Sequence, residues 1–267
     1  MSASTRDRLR AIAAETVEIT RHGGYSDVRI GEATAQAVAA TRLYLPDDPL
    51  PLPGRPGRCA VSVTGESTLA AAGRLGGDVA ALVFASARKP GGGFLNGAQA
   101  QEESVARSSA LYPCLLAAPE FYDFHRARPE LDYSDRIVYS PQVPVFRDDR
   151  GALLKAAYPV TLLTAAAPNR AAILREQPAL AAGIGATLHR RAARILAVAV
   201  ANGHRRLVLG AWGCGVFGNE PAEVAAAFTM ALREVPHFDE VVFAILDRPT
   251  GPIRTAFEAA FPAGVRG

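Results

Sequence analysis

Cysteine is scarce in this chain and poorly placed for chemistry. Cys59, Cys114 and Cys214 stand far apart among 267 residues. No close pair with zinc-ligand spacing exists, and the five histidines are scattered. The expected reading is three buried free thiols in a reducing compartment. No apolar run is long enough to span a membrane. The strongest candidate, Ala192 to Ala201, is short and is bracketed by Arg190, Arg191 and His204. Met1 to Arg10 is polar and basic with no apolar run behind it, so neither a secretory signal nor a membrane anchor is expected there. A cytoplasmic location follows as an expectation. Strong charge is also missing. A net charge of +3 does not call for direct nucleic-acid binding, but it suits an anionic small ligand. No glycine loop runs into Gly-Lys-Ser/Thr, and no dinucleotide fingerprint has its acidic partner after an early strand.

About half of the residues are apolar, enough for a large core, and they alternate between strand-like and helix-like segments. Ser4 and Thr5 can cap a first helix, which Gly23-Gly24 would end. Val28 and Ile30 suggest a short strand, and Ala33 to Thr41 a second helix. Leu45 to Arg58 holds five prolines and two glycines and must be an irregular connector. It divides residues 1–58, an N-terminal extension packed on the rest, from a main body at 59–267, within a single structural domain. Strands are predicted at Cys59–Val63, Val79–Ala85, Val160–Leu163, Leu207–Gly210 and Val241–Leu246. Helices are predicted at Ser67–Leu75, Ser104–Leu116, Leu180–Asn202, Pro221–Arg233 and Pro252–Phe261. Arg136 to Phe146 is extended but carries two prolines, which predicts an edge strand or a long loop. The alternation predicts an α/β fold whose mostly parallel sheet is covered on both faces, with ligands at the carboxyl ends of its strands.

Two glycine-rich loops follow predicted strands. The first runs from Lys89 to Ser104, with Gly91, Gly92 and Gly93 in a row and Gln101, Glu102 and Glu103 seven residues later. Such a loop can bring bare backbone N–H groups close to a ligand. The carboxylates point to proton transfer or to hydrogen bonds with hydroxyls. Acidic residues in the first turn of a helix also serve simply to offset its dipole. Neighbours on a helix differ by about 100° in direction, so Glu102 and Glu103 cannot face each other as an acid–base pair. If both work, their jobs differ. The second loop is Gly210 to Pro221, with four glycines and a proline placed to open a helix. That geometry can hold a pyrophosphate, although a tight turn would look the same.

Pro90-Gly-Gly-Gly93, a seven-residue spacer and Gln101-Glu102-Glu103 resemble the signature of poly(ADP-ribose) glycohydrolases. Gly213-Cys-Gly-Val-Phe-Gly-Asn219 resembles the diphosphate loop of the same family and of macrodomains in general. The resemblance covers about Cys59 to Phe261, and the short chain with N-terminal helices is similar to the bacterial type. It implies a macrodomain-like three-layer α/β/α fold, with a mixed, mostly parallel sheet and an N-terminal helical extension. It implies hydrolysis of ribose–ribose O-glycosidic bonds in poly(ADP-ribose), without a cofactor. Poly(ADP-ribose), ADP-ribose and ADP-ribosylated proteins would be its partners.

Carried over by position, Glu103 is the catalytic acid and base, and Glu102 binds ribose hydroxyls. Gly91, Gly92, Gly93 and Gln101 would lie against the terminal ribose. Gly213, Gly215, Val216, Gly218 and Asn219 would wrap the pyrophosphate, and Phe217 would pack on the ribose. Glu66 falls where the family places an acid near the adenine amino group; otherwise it is an exposed turn carboxylate. Asn169 sits at another strand end, where a turn role competes with ligand contact. Many macrodomains carry an asparagine just before the glycines; this chain has Ser86-Ala87-Arg88-Lys89.

Two further readings of the same pocket are an ADP-ribose reader that does not cut and a hydrolase of mono-ADP-ribosylated targets. A nucleotide-dependent oxidoreductase lacks its fingerprint. Because no metal-ligand set stands near either loop, the implied hydrolysis should survive exhaustive chelation with EDTA. Loss of turnover that Mg²⁺ or Zn²⁺ restores would refute a carboxylate-only mechanism.

Overall fold

The structure is a computed structural model that describes residues 3–50 and 59–262. In chain order, a long helix α1 (Ala3–His22) leads into a small hairpin, β1 (Gly24–Tyr25) and β2 (Val28–Arg29), then α2 (Gly31–Ala40) and β3 (Arg42–Tyr44). The body continues with β4 (Ala60–Thr64), α3 (Thr68–Leu75), β5 (Val79–Phe84), α4 (Gln101–Ser108), α5 (Leu111–Leu116) and α6 (Pro119–Arg126). Two long strands follow, β6 (Ile137–Arg147) and β7 (Leu153–Ala165), then α7 (Arg170–Glu176), α8 (Ile184–Ala201) and β8 (Arg206–Leu209). The chain closes with α9 (Pro221–Glu234), β9 (Glu240–Ala244) and α10 (Pro252–Ala260).

Seven strands form one sheet in the order β3-β6-β7-β5-β8-β9-β4. The five from β7 to β4 pair in parallel, and β6 and β3 are antiparallel additions. The sheet is therefore mixed and mostly parallel, as expected. Strand β5 sits at its centre. Its alternate residues feed two cores: Ala80 and Leu82 join one, and Val79, Ala81 and Val83 the other. A strand apolar at every position is what burial on both faces requires. One core is closed by α7, α8, α9 and α10, and the other by α2, α3, α5 and α6.

The structure departs from the sequence reading at several places. The first helix is already under way at Ala3, so Ser4 and Thr5 fall inside it rather than capping it. The helix expected over Ser104–Leu116 is two helices: Ser109 takes an extended conformation and bridges to Val145. The segment expected to be an edge or loop is the internal strand β6. Its prolines are tolerated because β3 pairs only with Ile137 to Tyr139, leaving Pro141 and Pro144 beyond its reach. A register shift between Ser140 and Val143, with Gln142 at φ 50°, takes up Pro141. Residues 51–58 of the predicted connector lie outside the described residues.

The N-terminal segment gives β3 to the sheet and lays α1 across the element that follows the triple glycine. Ala13 is fully buried against Phe94 and Ala106. Thr16 Oγ1 donates to the Arg107 carbonyl at 2.6 Å. Arg147, only 3% exposed, donates to Thr16 Oγ1 at 3.1 Å, Glu15 at 2.6 Å and the Gly151 carbonyl at 2.9 Å. Glu15 is half in solvent, so most of the stabilisation comes from the buried bonds. Arg147→Ala strands Thr16 and opens a void under α1. It should cost about 2–3 kcal/mol, read as a lowered urea midpoint at unchanged slope. An unchanged midpoint would show that α1 docks without this residue.

Candidate active site

The C-terminal ends of the parallel strands share one edge of the sheet, and every candidate residue lies along it. Strand β5 ends at Phe84, and Ser86 to Ala100 cross from it to α4. In that crossing Gly92 N–H donates to the Lys89 carbonyl at 3.0 Å and Phe94 N–H to the Gly91 carbonyl at 3.2 Å. Gly92 has φ 60°, and a Cβ there would stand 2.4 Å from Glu103 Oε1 and 3.1 Å from Glu102 Oε2. Only glycine allows the turn to lie directly on both carboxylates.

The three residues opening α4 each hold a different part of this crossing. Gln101 Oε1 accepts from Phe84 N–H at 2.8 Å, while its Nε2 donates to the Leu82 carbonyl at 2.8 Å and to Thr68 Oγ1 at 2.9 Å. Glu102 Oε2 accepts from Ser86 N–H at 2.7 Å, and Glu103 Oε1 from Gly93 N–H at 3.0 Å. The amide of Gln101 is thus spent on the protein. We read it as a clamp between β5, α3 and α4 on a residue that also lines the cavity at the strand ends.

The two glutamates differ in environment. Glu102 is buried, and burial pushes its carboxyl well above the usual range. The Ser86 and Gly91 N–H groups pull it back, while the charge of Glu103 pushes it further up. Its second oxygen, Oε1, is buried without a hydrogen-bond partner, as is the hydroxyl of nearby Tyr122 on α6. Glu103 is half-buried, and no protein donor among the described residues holds its Oε2.

A cavity of about 690 Å³ runs along the strand ends. Glu66 and Ile253 line one end, Phe84 and Gln101 the middle, and Gly213, Gly215, Val216 and Phe217 the opposite wall. The glutamate carboxylates stand just past Gln101, outside that lining. In the second loop, Gly213 has φ 75°, and a Cβ there would lie 2.4 Å from Asn219 Nδ2 and 2.5 Å from Ala167 Cβ. Gly215 has nothing within 4 Å of its Cβ position, so its backbone is open to the cavity. Gly218 has φ 67°, and the Val216 side chain is exposed. Phe217 stands with its ring centroid 6.0 Å from that of Tyr133, whose own φ is 59°.

Asn219 is buried, and its Nδ2 donates to the carbonyls of Pro168 at 2.8 Å and Gly213 at 3.2 Å. It staples the loop to the end of β7, while its Oδ1 is buried without a hydrogen-bond partner. Glu66 is on the cavity wall, but Arg74 grips both its oxygens, at 2.8 and 2.7 Å, and holds its pKa down. Asn169 caps α7 through Ala172 N–H, the turn role foreseen for it.

Sequence reasoning did not single out Trp212, although it is buried and donates from Nε1 to the Ala165 carbonyl at 3.0 Å, fixing the start of the second loop. A lone tryptophan beside a glycine run was the available signal. Tyr122 and Tyr133 carried none, because only folding brings α6 and its following loop to this edge.

A family model for the microbial-type PARG catalytic domain matches residues 13–148, from α1 through β6, including both glutamates. The chain belongs to the microbial-type poly(ADP-ribose) glycohydrolases. Solved structures extend the match to the second loop. The poly(ADP-ribose) glycohydrolase of Thermomonospora curvata is 49% identical over 96% of this chain and 100% of its own, with a TM-score of 0.87. The same protein bound to the inhibitor ADP-HPD is 49% identical, again over 96% and 100%, with a TM-score of 0.85. The poly(ADP-ribose) glycohydrolase of Deinococcus radiodurans in complex with ADP-ribose is 42% identical over 86% of this chain and 97% of its own, with a TM-score of 0.80. No curated protein sequence matches. Among the described residues, no helix is long and apolar enough to cross a membrane.

For this glycohydrolase, the buried Glu102 has a consequence for stability. A carboxyl whose pKa rises on folding contributes stability that is fully present below its unfolded value and lost as pH climbs through the folded value. Glu102→Gln removes that titration while keeping an acceptor for Ser86. The variant should melt higher than the parent at pH 8, and the gain should vanish near pH 4. The same difference at both pH values would refute a proton held by Glu102.

Proposed function

We propose that this chain hydrolyses the ribose–ribose O-glycosidic bonds of poly(ADP-ribose) and releases ADP-ribose, with Glu103 as general acid and then general base. The observation that carries the reading is the pair of carboxylates held against one glycine turn by different backbone donors. Glu103 keeps one oxygen on Gly93 N–H, and its other oxygen, with no protein donor among the described residues, is left for the substrate. A proton there can pass to the departing 2′ oxygen as positive charge builds on the ribose being released. The pyrophosphate of the same unit, wrapped by the backbone of Gly213 to Gly218, lies close enough to steady that charge. The carboxylate left on Glu103 then takes a proton from the attacking water.

Glu102 does a different job. Its burial keeps it in place as a hydrogen-bonding partner for ribose hydroxyls, through the Oε1 that the protein leaves without one. A buried polar atom of this kind costs stability unless a ligand satisfies it. The N-terminus of α9, opened by Pro221, lies behind the second loop and favours an anion there. The relatives solved with ADP-ribose and with ADP-HPD support ADP-ribose as the unit this crevice accepts.

Glu103→Gln keeps shape but removes the proton. Turnover of polymer should fall by roughly 10²–10⁴-fold, since both half-steps lose their catalyst. Affinity for free ADP-ribose should hold or tighten, because a negative charge near an anion is gone. The measurement is ADP-ribose released from polymer beside calorimetry with ADP-ribose. Near-normal cleavage by the variant would discard Glu103 as the catalyst. A wild type that binds ADP-ribose but never cleaves polymer would make the chain a reader.

A further inference from the structure

A dense cationic cluster stands beside the glycine turn and takes no part in the chemistry above. Arg88 and Lys89, between β5 and the triple glycine, are joined there by Arg126 and Arg128 at the end of α6 and by Arg136 just before β6. The cluster is built into the fold. Arg126 donates to the Arg88 carbonyl at 3.0 Å, and Arg88 donates to the Arg128 carbonyl at 3.3 Å. The guanidinium carbons of Arg128 and Arg136 lie 3.8 and 3.2 Å from the centroid of the Phe124 ring. Two carbons that near one centroid must sit on opposite faces, so the ring is sandwiched and both guanidinium groups are held in place.

Two carboxylates near the cluster are already paired, and a third, Asp47, acts on Arg136 from beyond ion-pair distance. Asp123 pairs with Arg126 at 2.5 Å, and Asp135 with Arg190 and Arg191 at 2.5 and 2.8 Å. Among the described residues, no carboxylate comes within ion-pair distance of Arg88, Lys89, Arg128 or Arg136, and the buried Arg88 Nε has no partner at all. Like charges gathered without a directly paired counter-ion repel one another, and a bound anion lowers that cost.

The sheet order fixes where such an anion would lie. Strand β6 is antiparallel, so Arg136 at its start shares the edge formed by the ends of β5 and β7. Along that edge come Glu66 after β4, Ile245 after β9, the second glycine loop after β8, the glutamates and triple glycine at β5, and then the cluster. A terminal unit with its adenine toward Glu66 and its pyrophosphate on the second loop puts its far ribose at Glu103. The chain beyond the scissile bond continues in the same direction, onto the cluster.

We propose that Arg88, Lys89, Arg128 and Arg136 form a subsite for the pyrophosphate of the unit on the leaving side of the bond. The enzyme then reads polymer, not only its terminal ADP-ribose. This rests on the hydrolase reading above. The pocket wall at Glu66 and the second loop would recognise the released unit, and the cluster would recognise the unit left behind.

The test compares wild type with the double variant Arg128→Gln/Arg136→Gln and with Lys89→Glu, an exposed position that folding does not depend on. Three probes are used: defined-length poly(ADP-ribose), a one-unit ADP-ribosyl substrate with an uncharged aryl leaving group, and free ADP-ribose. On polymer, kcat/KM should fall about tenfold in the double variant and about threefold in Lys89→Glu, carried by KM. The slope of log KM against log salt should become shallower. Turnover of the aryl substrate sets the reference and should shift by less than twofold, as should the Kd for ADP-ribose. Equal losses on polymer and aryl substrate, or no loss on polymer, would overturn the subsite while leaving the hydrolase standing. Retained polymer turnover with loss of single-stranded RNA binding would assign the cluster to nucleic acid and overturn it too. A wild type that cleaves no polymer removes both readings at once.

Discussion

Everything at this site depends on three consecutive side chains gripping backbone that is not their own. Gln101, Glu102 and Glu103 open one helix, and they reach the end of β5, the residue two beyond it, and the last glycine of the turn. A crossing of this length and glycine content has high conformational entropy. Anchoring it at three points turns it into a fixed surface. The same bonds set the positions of the carboxylates, so one set of interactions orders the crossing and places both acids. The cost is one buried carboxyl, whose pKa burial pushes well above the usual range.

That grip would be wasted if α4 could move. Helix α1 lies on it, with Ala13 against Ala106 and Thr16 on the Arg107 carbonyl. Arg6 extends the contact by donating to the Asn96 carbonyl at 3.0 Å, and a Cβ at Gly97 would come within 2.3 Å of the Arg6 carbonyl. The N-terminal segment therefore works as a buttress for the glycine turn and its two glutamates. It is also continuous with the sheet, through β3. On the other side, Asn219 and Trp212 pin the second loop to the end of β7. The two loops face each other across the cavity because each is tied to a strand of the same sheet.

Much of this was legible in the chain. The five parallel strands announced themselves as short apolar runs, and the glycines beside them as loops at the strand ends. The carboxylate pair stood out because it closes a glycine-rich loop at a strand end, although acids in a first helical turn also offset the dipole. What misled was proline. In Arg136 to Phe146 it argued for an edge, but it sits beyond the short β3, where no ladder partner requires its missing N–H. Ser109 misled in the other direction: nothing local marks it as a break, and only its bridge to Val145 makes one. Gln101 and Asn219 looked like ligand contacts because they flank the motifs. The Gln101 amide is bonded at both ends to β5 and α3, whereas Asn219 uses only its Nδ2, on the Pro168 and Gly213 carbonyls, and leaves Oδ1 buried without a partner.

By itself, the sequence determined the alternation of elements, the glycine positions and the adjacency of the two glutamates. Those follow from local rules: side-chain period, backbone freedom and the spacing of residues on a helix. Only the tertiary structure decided which glutamate is buried and which is half-exposed, because burial depends on what packs against α4. It alone brought Arg128 and Arg136 to the two faces of Phe124 and Arg88 onto the Arg128 carbonyl, from three separate segments. No local pattern encodes that meeting, since it requires β6 to run antiparallel and bring its first residue to the edge where the parallel strands end.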